Sequence, residues 1–255
     1  MSIEVQLHNR VLRVKLNRPE KRNALNLATC RALNQAILDA NRNPAVGAVL
    51  ITGAGPAFCS GMDLREAEHA GHTALADAHD RLFTIREWAE KPVIQAVHGP
   101  AIAGGTGLAA NAHVLFAAED ASFGLTEIRL GLWPVLIFPA MIAAVGERRA
   151  VELALSGRIF SAEDAHEYGL VSEIVPQDEL QSRALAFAEM VAGSSAMALR
   201  SGLDYVRRIR GKPLGEALEI GRTMRDELMR HGDFAEGVRA WKEKTKPDWP
   251  SLREV

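Results

Sequence analysis

Hydrophobic and polar residues follow two different periods along the chain. Residues 3–17, "IEVQLHNRVLRVKLN", alternate around "HNR", which predicts a β-hairpin. Residues 24–43 are apolar at helical spacing and end in "NRNP", so they predict the first helix. Further on, the pattern predicts buried strands at 46–53, 93–99 and 113–120 and a helix at 78–92. This order of strands and helices is typical of an α/β protein with a mainly parallel sheet.

Helical spacing dominates the chain after Pro134, and most of the helical segments begin at Ser, Asp or Pro and end at Gly. We therefore predict an α/β core over residues 1–195, followed by a helical C-terminal region over 196–255, the two making one functional domain. The longest apolar run, 132–145, contains two prolines and is too short to span a bilayer. It predicts a buried helix that is entered through Pro134.

Composition narrows the function classes. The 255 residues include 30 basic and 32 acidic ones, which gives a net charge of −2 and no sign of a nucleic-acid or membrane surface. The two cysteines, Cys30 and Cys59, form neither a disulfide framework nor a zinc motif, and the N-terminus does not resemble a signal peptide. A reducing, cytoplasmic location is expected.

Two segments share the order strand, glycine-bearing turn and helix start: 49–67, "VLITGAGPAFCSGMDLREA", and 93–111, "VIQAVHGPAIAGGTGLAAN". Phe58 and Pro56 spoil a dinucleotide fingerprint, and the sequence contains neither a Gly-Lys-Ser/Thr phosphate loop nor a Gly-x-Ser-x-Gly elbow. A nucleophilic Cys59 or Ser60 is correspondingly unsupported. Backbone N–H groups of the two turns could instead converge on one carbonyl oxygen as an oxyanion hole.

Five segments in order carry a resemblance to a known family: 16–26 "LNRPEKRNALN", 51–64 "ITGAGPAFCSGMDL", 96–113 "AVHGPAIAGGTGLAANAH", 121–132 "ASFGLTEIRLGL" and 154–176 "ALSGRIFSAEDAHEYGLVSEIVP". Together they resemble the enoyl-CoA hydratase/isomerase, or crotonase, family over nearly the whole chain. The resemblance implies a crotonase-like α/β spiral of ββα units with a helical C-terminal trimerisation region. It also implies a homotrimer or homohexamer, an acyl-CoA substrate, and no cofactor beyond the coenzyme A that the substrate carries.

The resemblance also assigns site residues. The oxyanion donors match the backbone N–H groups of Met62 and Gly104. Contacts to coenzyme A match seven positions: Lys21, Arg22, Ala24, Ser60, Gly61, Asp63 and Leu64. Asp63 is also expected to cap the helix that follows it. No metal ligands are expected.

The acid–base positions depart from the hydratase pattern. Hydratases of the family have two glutamates that together hold a water; Glu127 matches one of them, whereas Gly107 stands at the other. A single carboxylate favours isomerase-type proton transfer, and an apolar wall would raise the pKa of Glu127. Two alternatives stay open: a hydratase that works with one glutamate, and a non-catalytic acyl-CoA-binding member.

Other departures and candidates complete the prediction. Ala103 replaces the first glycine of the usual triplet, and His113 replaces an aspartate. A scaffold role is the preferred interpretation of His113, and proton transfer is the alternative. Four apolar residues are candidates either for the acyl pocket or for ordinary core packing: Trp133, Phe138, Met141 and Ile142.

Overall fold

The computed structural model describes residues 1–69 and 72–253. Its strands are β1 Ile3–His8, β2 Val11–Leu16, β3 Ala48–Gly53, β4 Val93–Val97, β5 Pro100–Ile102, β6 Val114–Ala118, β7 Ser122–Gly124, β8 Ile159–Ser161 and β9 Glu173–Val175. Its α-helices are α1 Leu27–Arg42, α2 Leu64–His69, α3 His72–Leu82, α4 Ile85–Trp88, α5 Gly104–Ala110, α6 Phe138–Val145, α7 Glu147–Ser156, α8 Ala162–Glu167, α9 Leu180–Ala192, α10 Ala196–Ile209, α11 Leu214–Arg230, α12 Gly232–Glu243 and α13 Pro250–Arg253. Two short 3₁₀ helices span Pro19–Lys21 and Glu127–Leu130.

The larger sheet has six strands in the order β1-β2-β3-β4-β6-β9. The predicted hairpin is confirmed: β1 and β2 are antiparallel, and the turn residues Asn9 and Arg10 have φ of 46° and 65°. Such positive values suit the tight turn of a twisted hairpin. All other neighbours in this sheet are parallel, as the alternation of strands and helices predicts.

A second sheet of three short strands, β5-β7-β8, was not predicted from the sequence. Each of these strands has only three residues, too few for alternation to be recognised. Strand β4 belongs to the larger sheet, β5 to the smaller one, and α5 follows directly; β6 and β7 repeat this division between the sheets. This strand–strand–helix order is the one that the family resemblance implies.

Both faces of the central strands β3 and β4 of the larger sheet are buried. On one face, α9 packs through alanines against alternate strand residues such as Leu50, Ile94 and Phe116. The approach is close, because a β-carbon on Gly47 would lie 2.6 Å from the carbonyl oxygen of Ala192. The opposite face packs into the main core, which also holds the apolar sides of α1, α3 and α5.

The apolar run at 132–145 differs from its prediction. Only its second half is helical, because α6 begins at Phe138. Leu132, Val135 and Leu136 are exposed by 49%, 66% and 41%, so the prediction of a buried helix entered through Pro134 is wrong for this part. The physical reason is that these side chains form one wall of an open cavity, described below.

The predicted helix at 78–92 is interrupted after Leu82, where α3 ends and the short α4 begins. In the C-terminal part, α10 begins at Ala196 and α13 ends at Arg253; residues 254 and 255 of the predicted C-terminal region lie outside the described residues. None of the helices in the described ranges is long and apolar enough to cross a membrane.

Candidate active site

A cavity of about 340 Å³ lies between the turn before α2, helix α3, the start of α5 and the segment 126–137. Six of the residues singled out from the sequence line it: Ser60, Met62, Leu64, Gly104, Glu127 and Trp133. The two glycine turns and the candidate acid–base residue, which are far apart in the sequence, therefore meet at one place.

The two glycine turns touch each other at this cavity. A β-carbon built on Gly61 would lie 3.1 Å from the backbone nitrogen of Gly104, and one built on Gly104 would lie 3.6 Å from that of Met62. Gly61 also has φ of +88°, which L-residues rarely adopt. Both turns thus need glycine for the close approach, and the approach brings the Met62 and Gly104 N–H groups to the same small space.

Neither of these two N–H groups has a hydrogen-bond acceptor among the described residues. Leu25 bonds on either side of Met62: its N–H donates to Gly61 O at 2.8 Å, and its carbonyl accepts from Asp63 N at 3.1 Å. Gly104 is the first residue of α5, where an N–H has no partner within the helix. Two unpaired donors beside one cavity, one of them at the positive end of a helix, form the arrangement of an oxyanion hole.

Ala103, directly before Gly104, has an unusual backbone conformation, with φ of 51° and ψ of −119°. A residue with a β-carbon is strained here, at a cost of about 1–3 kcal/mol. The surroundings hold it in place, since its N–H donates to Gly124 O at 2.7 Å and its carbonyl accepts from Gly107 N at 3.0 Å. The Thr106 hydroxyl adds bonds to Ala101 O and Gly124 O at 2.6 and 3.0 Å. The turn that presents the Gly104 N–H is therefore rigidly fixed.

Glu127 is the only carboxylic acid among the described residues that line the cavity. It begins the second 3₁₀ helix, and its buried Oε2 has no hydrogen-bond partner within residues 1–69 and 72–253. Burial raises the pKa of Glu127, in the direction predicted from its apolar neighbours. A carboxyl group that is buried, unpartnered and poised to hold a proton is suited to acid–base work.

Gly107 lies on α5, and the space beside it is already occupied. A β-carbon on Gly107 would lie 2.1 Å from Cγ2 and 2.5 Å from Cβ of Ile137, which is itself buried. No side chain fits there unless Ile137 moves. The position at which the resemblance implies a second glutamate is thus closed by an apolar side chain.

The predicted coenzyme A segment lies against the first glycine turn. Ser60 N donates to Arg22 O at 3.0 Å, and the Ser60 hydroxyl contacts Lys21 O at 3.4 Å. Lys21 and Arg22 are exposed, and neither has an acidic partner among the described ion pairs. Two free cations therefore stand at the rim of this turn, where they can meet an anionic ligand.

Asp63 directly precedes α2, as predicted for a capping residue, but its carboxylate is engaged by Arg18 at 3.0 Å. Arg18 also donates to the carbonyl oxygen of Ala24 at 2.5 Å. This ion pair is largely buried and joins the segment after the hairpin to the turn that carries Met62. The structure thus gives Asp63 a positioning contact in addition to its place before the helix.

Two titratable side chains considered from the sequence do not reach the cavity. His113 Nδ1 accepts the Val93 N–H at 3.0 Å, and burial, together with neighbouring arginines, lowers the pKa of His113 to about 4. It is a neutral scaffold residue that directly precedes β6 and bonds to the first residue of β4. Burial raises the pKa of Cys59 to about 12, so its thiol stays protonated and is a poor nucleophile.

Sequence reasoning missed several residues of the cavity wall, among them His79, Phe83, Thr126 and Ile137. His79 and Phe83 follow the apolar period of a helix and carry no further signal.

Of the four apolar pocket candidates, Trp133 lines the cavity and Phe138 packs against its ring at 5.2 Å between centroids. Met141 is fully buried and belongs to the core, whereas Ile142 is 37% exposed and lies at the surface. Within the described ranges, no cluster of three or more His, Cys, Asp or Glu residues could hold a metal ion.

Comparison with known proteins gives matches over nearly the whole chain. The sequence model of the enoyl-CoA hydratase/isomerase family matches residues 6–252. The mevalonyl-coenzyme A hydratase sidH of Aspergillus fumigatus is 35% identical over 250 residues, which cover 94% of this chain and 91% of that protein. The enoyl-CoA hydratase EchA19 of Mycobacterium tuberculosis is 32% identical over 253 residues, covering 96% and 95%.

Solved structures show the same fold. An enoyl-CoA hydratase from Bacillus anthracis superposes with a TM-score of 0.92 at 32% identity, covering 98% of this chain and all of that one. One from Mycobacterium smegmatis has a TM-score of 0.92 at 28% identity, covering 98% and 99%. The chain belongs to the enoyl-CoA hydratase/isomerase family and has the crotonase fold with its helical C-terminal region.

Proposed function

We propose that the protein binds acyl-CoA thioesters and moves a proton next to the thioester carbonyl, with Glu127 as its single acid–base residue. The observation that carries this proposal is the composition of the cavity wall. Glu127 is the only carboxylic acid among the described lining residues, and its buried Oε2 has no hydrogen-bond partner within the part of the chain that the structure describes. The two unpaired backbone donors lie on the same cavity.

The thioester oxygen would accept hydrogen bonds from the N–H groups of Met62 and Gly104. Negative charge develops on this oxygen when a proton leaves C2, so donors placed there stabilise the enolate more than the ground state. The backbone supplies both donors, and for this reason the Met62 side chain can vary without loss of the hole. Glycine is expected to be needed at position 104, because a β-carbon there would crowd Phe83 Cζ at 3.1 Å and stand beside the proposed donors.

Proton transfer along a 3-enoyl thioester needs only one carboxyl group. The Glu127 carboxylate takes a proton from C2, the electrons delocalise over the carbonyl and the C3–C4 double bond, and the carboxylic acid then returns a proton at C4. The product is the 2-enoyl thioester, and Glu127 ends as it began. A raised pKa makes Glu127 a stronger base toward C2 and keeps it effective as the donor at C4.

The closed space beside Gly107 supports proton transfer over hydration. Hydration needs a water held in line with C3, a proton taken from it and a proton delivered to C2. Ile137 occupies the space that the β-carbon of a second glutamate would need. Glu127 therefore has no second carboxyl group among the described lining residues to share this task.

The coenzyme A moiety is proposed to lie along residues 21–24 and 60–64. Lys21 and Arg22 are exposed cations that suit its phosphates, and the turn between Ser60 and Leu64 offers backbone groups to its amide-bearing arm. The backbone of Ala24 and Gly61 would also contact coenzyme A. Asp63 would hold this segment in place through its ion pair with Arg18, which also bonds to the Ala24 carbonyl oxygen. No group other than the substrate's own coenzyme A is proposed to take part.

Hydration is the second candidate, favoured by the names of the relatives, several of which are called hydratases. The test is to incubate the protein separately with a 2-enoyl-CoA and a 3-enoyl-CoA of equal chain length and to follow the products by NMR. The proposal predicts faster conversion of the 3-enoyl than hydration of the 2-enoyl thioester. Faster formation of 3-hydroxyacyl-CoA would show a one-glutamate hydratase instead. Binding of both thioesters without turnover would show the non-catalytic alternative.

Assembly into a homotrimer or homohexamer is proposed as well. Large apolar side chains on α11 and α12 are exposed, with Leu214 at 75%, Phe234 at 46% and Trp241 at 79%. Apolar surface of this kind is costly in water and is typical of an interface. Light scattering on the purified protein should give three or six chains per particle, and a monodisperse monomer would contradict the proposal. The cytoplasmic location stays a prediction.

A further inference from the structure

One titratable side chain in the cavity wall has no part in the proton transfer described above. His79 lies on α3 and lines the same cavity as Glu127, although it is only 5% exposed. Its Nε2 is buried and has no hydrogen-bond partner among the described residues. An imidazole nitrogen left in this state costs stability unless something supplies the missing partner.

The helix that carries His79 is held in place next to it. The Nδ2 of Asn34 on α1 donates to the carbonyl oxygen of Ala78 at 2.9 Å. The imidazole also packs against the ring of Phe83, with 5.4 Å between centroids and a 33° tilt. The backbone beside His79 and one face of its ring are therefore held at this wall.

Phe83 connects His79 to the oxyanion donors. Its Cζ would lie 3.1 Å from a β-carbon on Gly104, so the far edge of the Phe83 ring borders the place of the thioester oxygen. The His79 ring packs against the Phe83 ring, so the imidazole extends the wall beyond the ring that borders Gly104. A group that reaches His79 thus belongs to the acyl chain, several bonds away from the thioester carbonyl.

Apolar side chains, among them Leu132, Val135 and Leu136, line the same cavity. Burial lowers the pKa of His79, against smaller opposing contributions from the Leu25 backbone and the charges of Asp80 and Glu66. The ring is accordingly neutral at pH 7 and can pair with an uncharged polar group. A neutral imidazole has one donor and one acceptor nitrogen.

We propose that His79 is a specificity-determining residue, whose ring turns about its Cβ–Cγ bond to hydrogen-bond a hydroxyl or carbonyl group on the acyl chain. The cavity would then select acyl-CoA thioesters that carry such a group over purely hydrocarbon ones. The torsion concerned is broad in histidine, and no described group holds Nε2 by a hydrogen bond in its present position. The inference rests on the proposed function, because it places an acyl chain in this cavity.

Binding of three saturated thioesters tests the inference without any turnover: pentanoyl-CoA, 4-oxopentanoyl-CoA and 4-hydroxypentanoyl-CoA. Calorimetry should show that wild-type protein prefers the two polar ligands and that His79→Phe, which keeps a ring but removes both nitrogens, lowers this preference about tenfold. His79→Gln should retain part of it. His8→Phe removes an exposed imidazole on β1, outside the cavity, and should leave the preference unchanged.

A second measurement uses the wild-type chain alone, so its outcome does not depend on whether a variant folds. The ¹⁵N resonances of the His79 ring, in protein labelled at histidine, should shift more on titration with 4-oxopentanoyl-CoA than with pentanoyl-CoA. An equal preference in wild type and His79→Phe, or equal ring shifts with both ligands, would overturn the role of His79 and leave the proposed function intact. Failure of all three thioesters to bind would overturn the proposed function and this inference together.

Discussion

Gly107 and Glu127 are the two positions at which the family resemblance implies acid–base side chains, and their surroundings are opposite. Around Glu127 the wall leaves a buried carboxyl oxygen without a partner and raises the pKa of the group. Around Gly107 the wall is filled, because Ile137 occupies the volume of any side chain. The structure thus leaves the proposed acid–base position with a free carboxyl oxygen among the described residues and closes the other position with an apolar side chain. The proposed backbone donors and one proposed acid–base residue therefore lie at a cavity beside which position 107 has no room for a second carboxyl group.

The largest effect is expected from Glu127→Gln. This change keeps the shape of the side chain but removes its ability to carry a proton, so exchange at C2 of a thioester should fall by about a thousandfold or more. Exchange is measured by NMR in deuterated water. Glu119→Gln, at an exposed turn after β6, is the matched control and should keep full activity. Wild-type exchange in the Glu127 variant would assign the base elsewhere.

Gly104→Ala tests the backbone donors that both halves of the site would share. Its β-carbon would lie 3.1 Å from Phe83 Cζ and 3.6 Å from Met62 N, in the space of the thioester oxygen, so kcat should fall by about a hundredfold. Gly202→Ala is the control, since a β-carbon there meets nothing within 4 Å on α10. If both variants keep wild-type kcat, the oxyanion hole does not lie between Met62 and Gly104.

Gly107→Glu tests whether the space beside Gly107 is closed to a side chain. The clash of its β-carbon with Ile137, at 2.1 Å, should lower the free energy of unfolding by about 3 kcal/mol. The double change with Ile137→Ala should recover part of that loss and gain hydration of 2-enoyl-CoA relative to Ile137→Ala alone. Thermal unfolding and a hydration assay measure the two effects. A single variant as stable as wild type would show that the space beside Gly107 is open.

The smallest expected effect concerns pH. Because burial raises the pKa of Glu127, the carboxylate needed at C2 is lost at a higher pH than for an ordinary glutamate. The rate of C2 exchange, measured as kcat/KM, should therefore fall with decreasing pH through a midpoint above the usual value of about 4.3. A midpoint at or below that value would contradict the apolar environment inferred for Glu127.

Much of the fold could be predicted from the sequence, because long strands and helices carry their own periodicity. The hairpin of β1 and β2, helix α1 and the buried strand β3 are examples. The three-residue strands of the smaller sheet could not be predicted, because they are too short to show a period. The run 132–137 was misinterpreted for a related reason: apolar residues that line an open cavity have the same composition as a buried helix.

The site was predictable to the extent that single residues match family motifs, which applies to Met62, Gly104 and Glu127. Their side chains and turns do meet at one cavity. The contact between Gly107 and Ile137 was not predictable, because it joins residues thirty positions apart without any local pattern. His79 was missed because a histidine on a helix is ordinarily a surface or a core residue, and only the structure shows its nitrogen to be unpartnered.

The carboxyl group of Glu127 is proposed to take the proton from C2 and to return it at C4. The most direct test is a single turnover of a 3-enoyl-CoA carrying deuterium at C2, in ordinary water, with the label at C4 of the product measured by mass spectrometry. Wild-type protein should carry part of the deuterium from C2 to C4, and Glu127→Gln should give no product on this timescale. Product without any deuterium at C4, formed equally well by Glu127→Gln, would contradict the proposed role of Glu127.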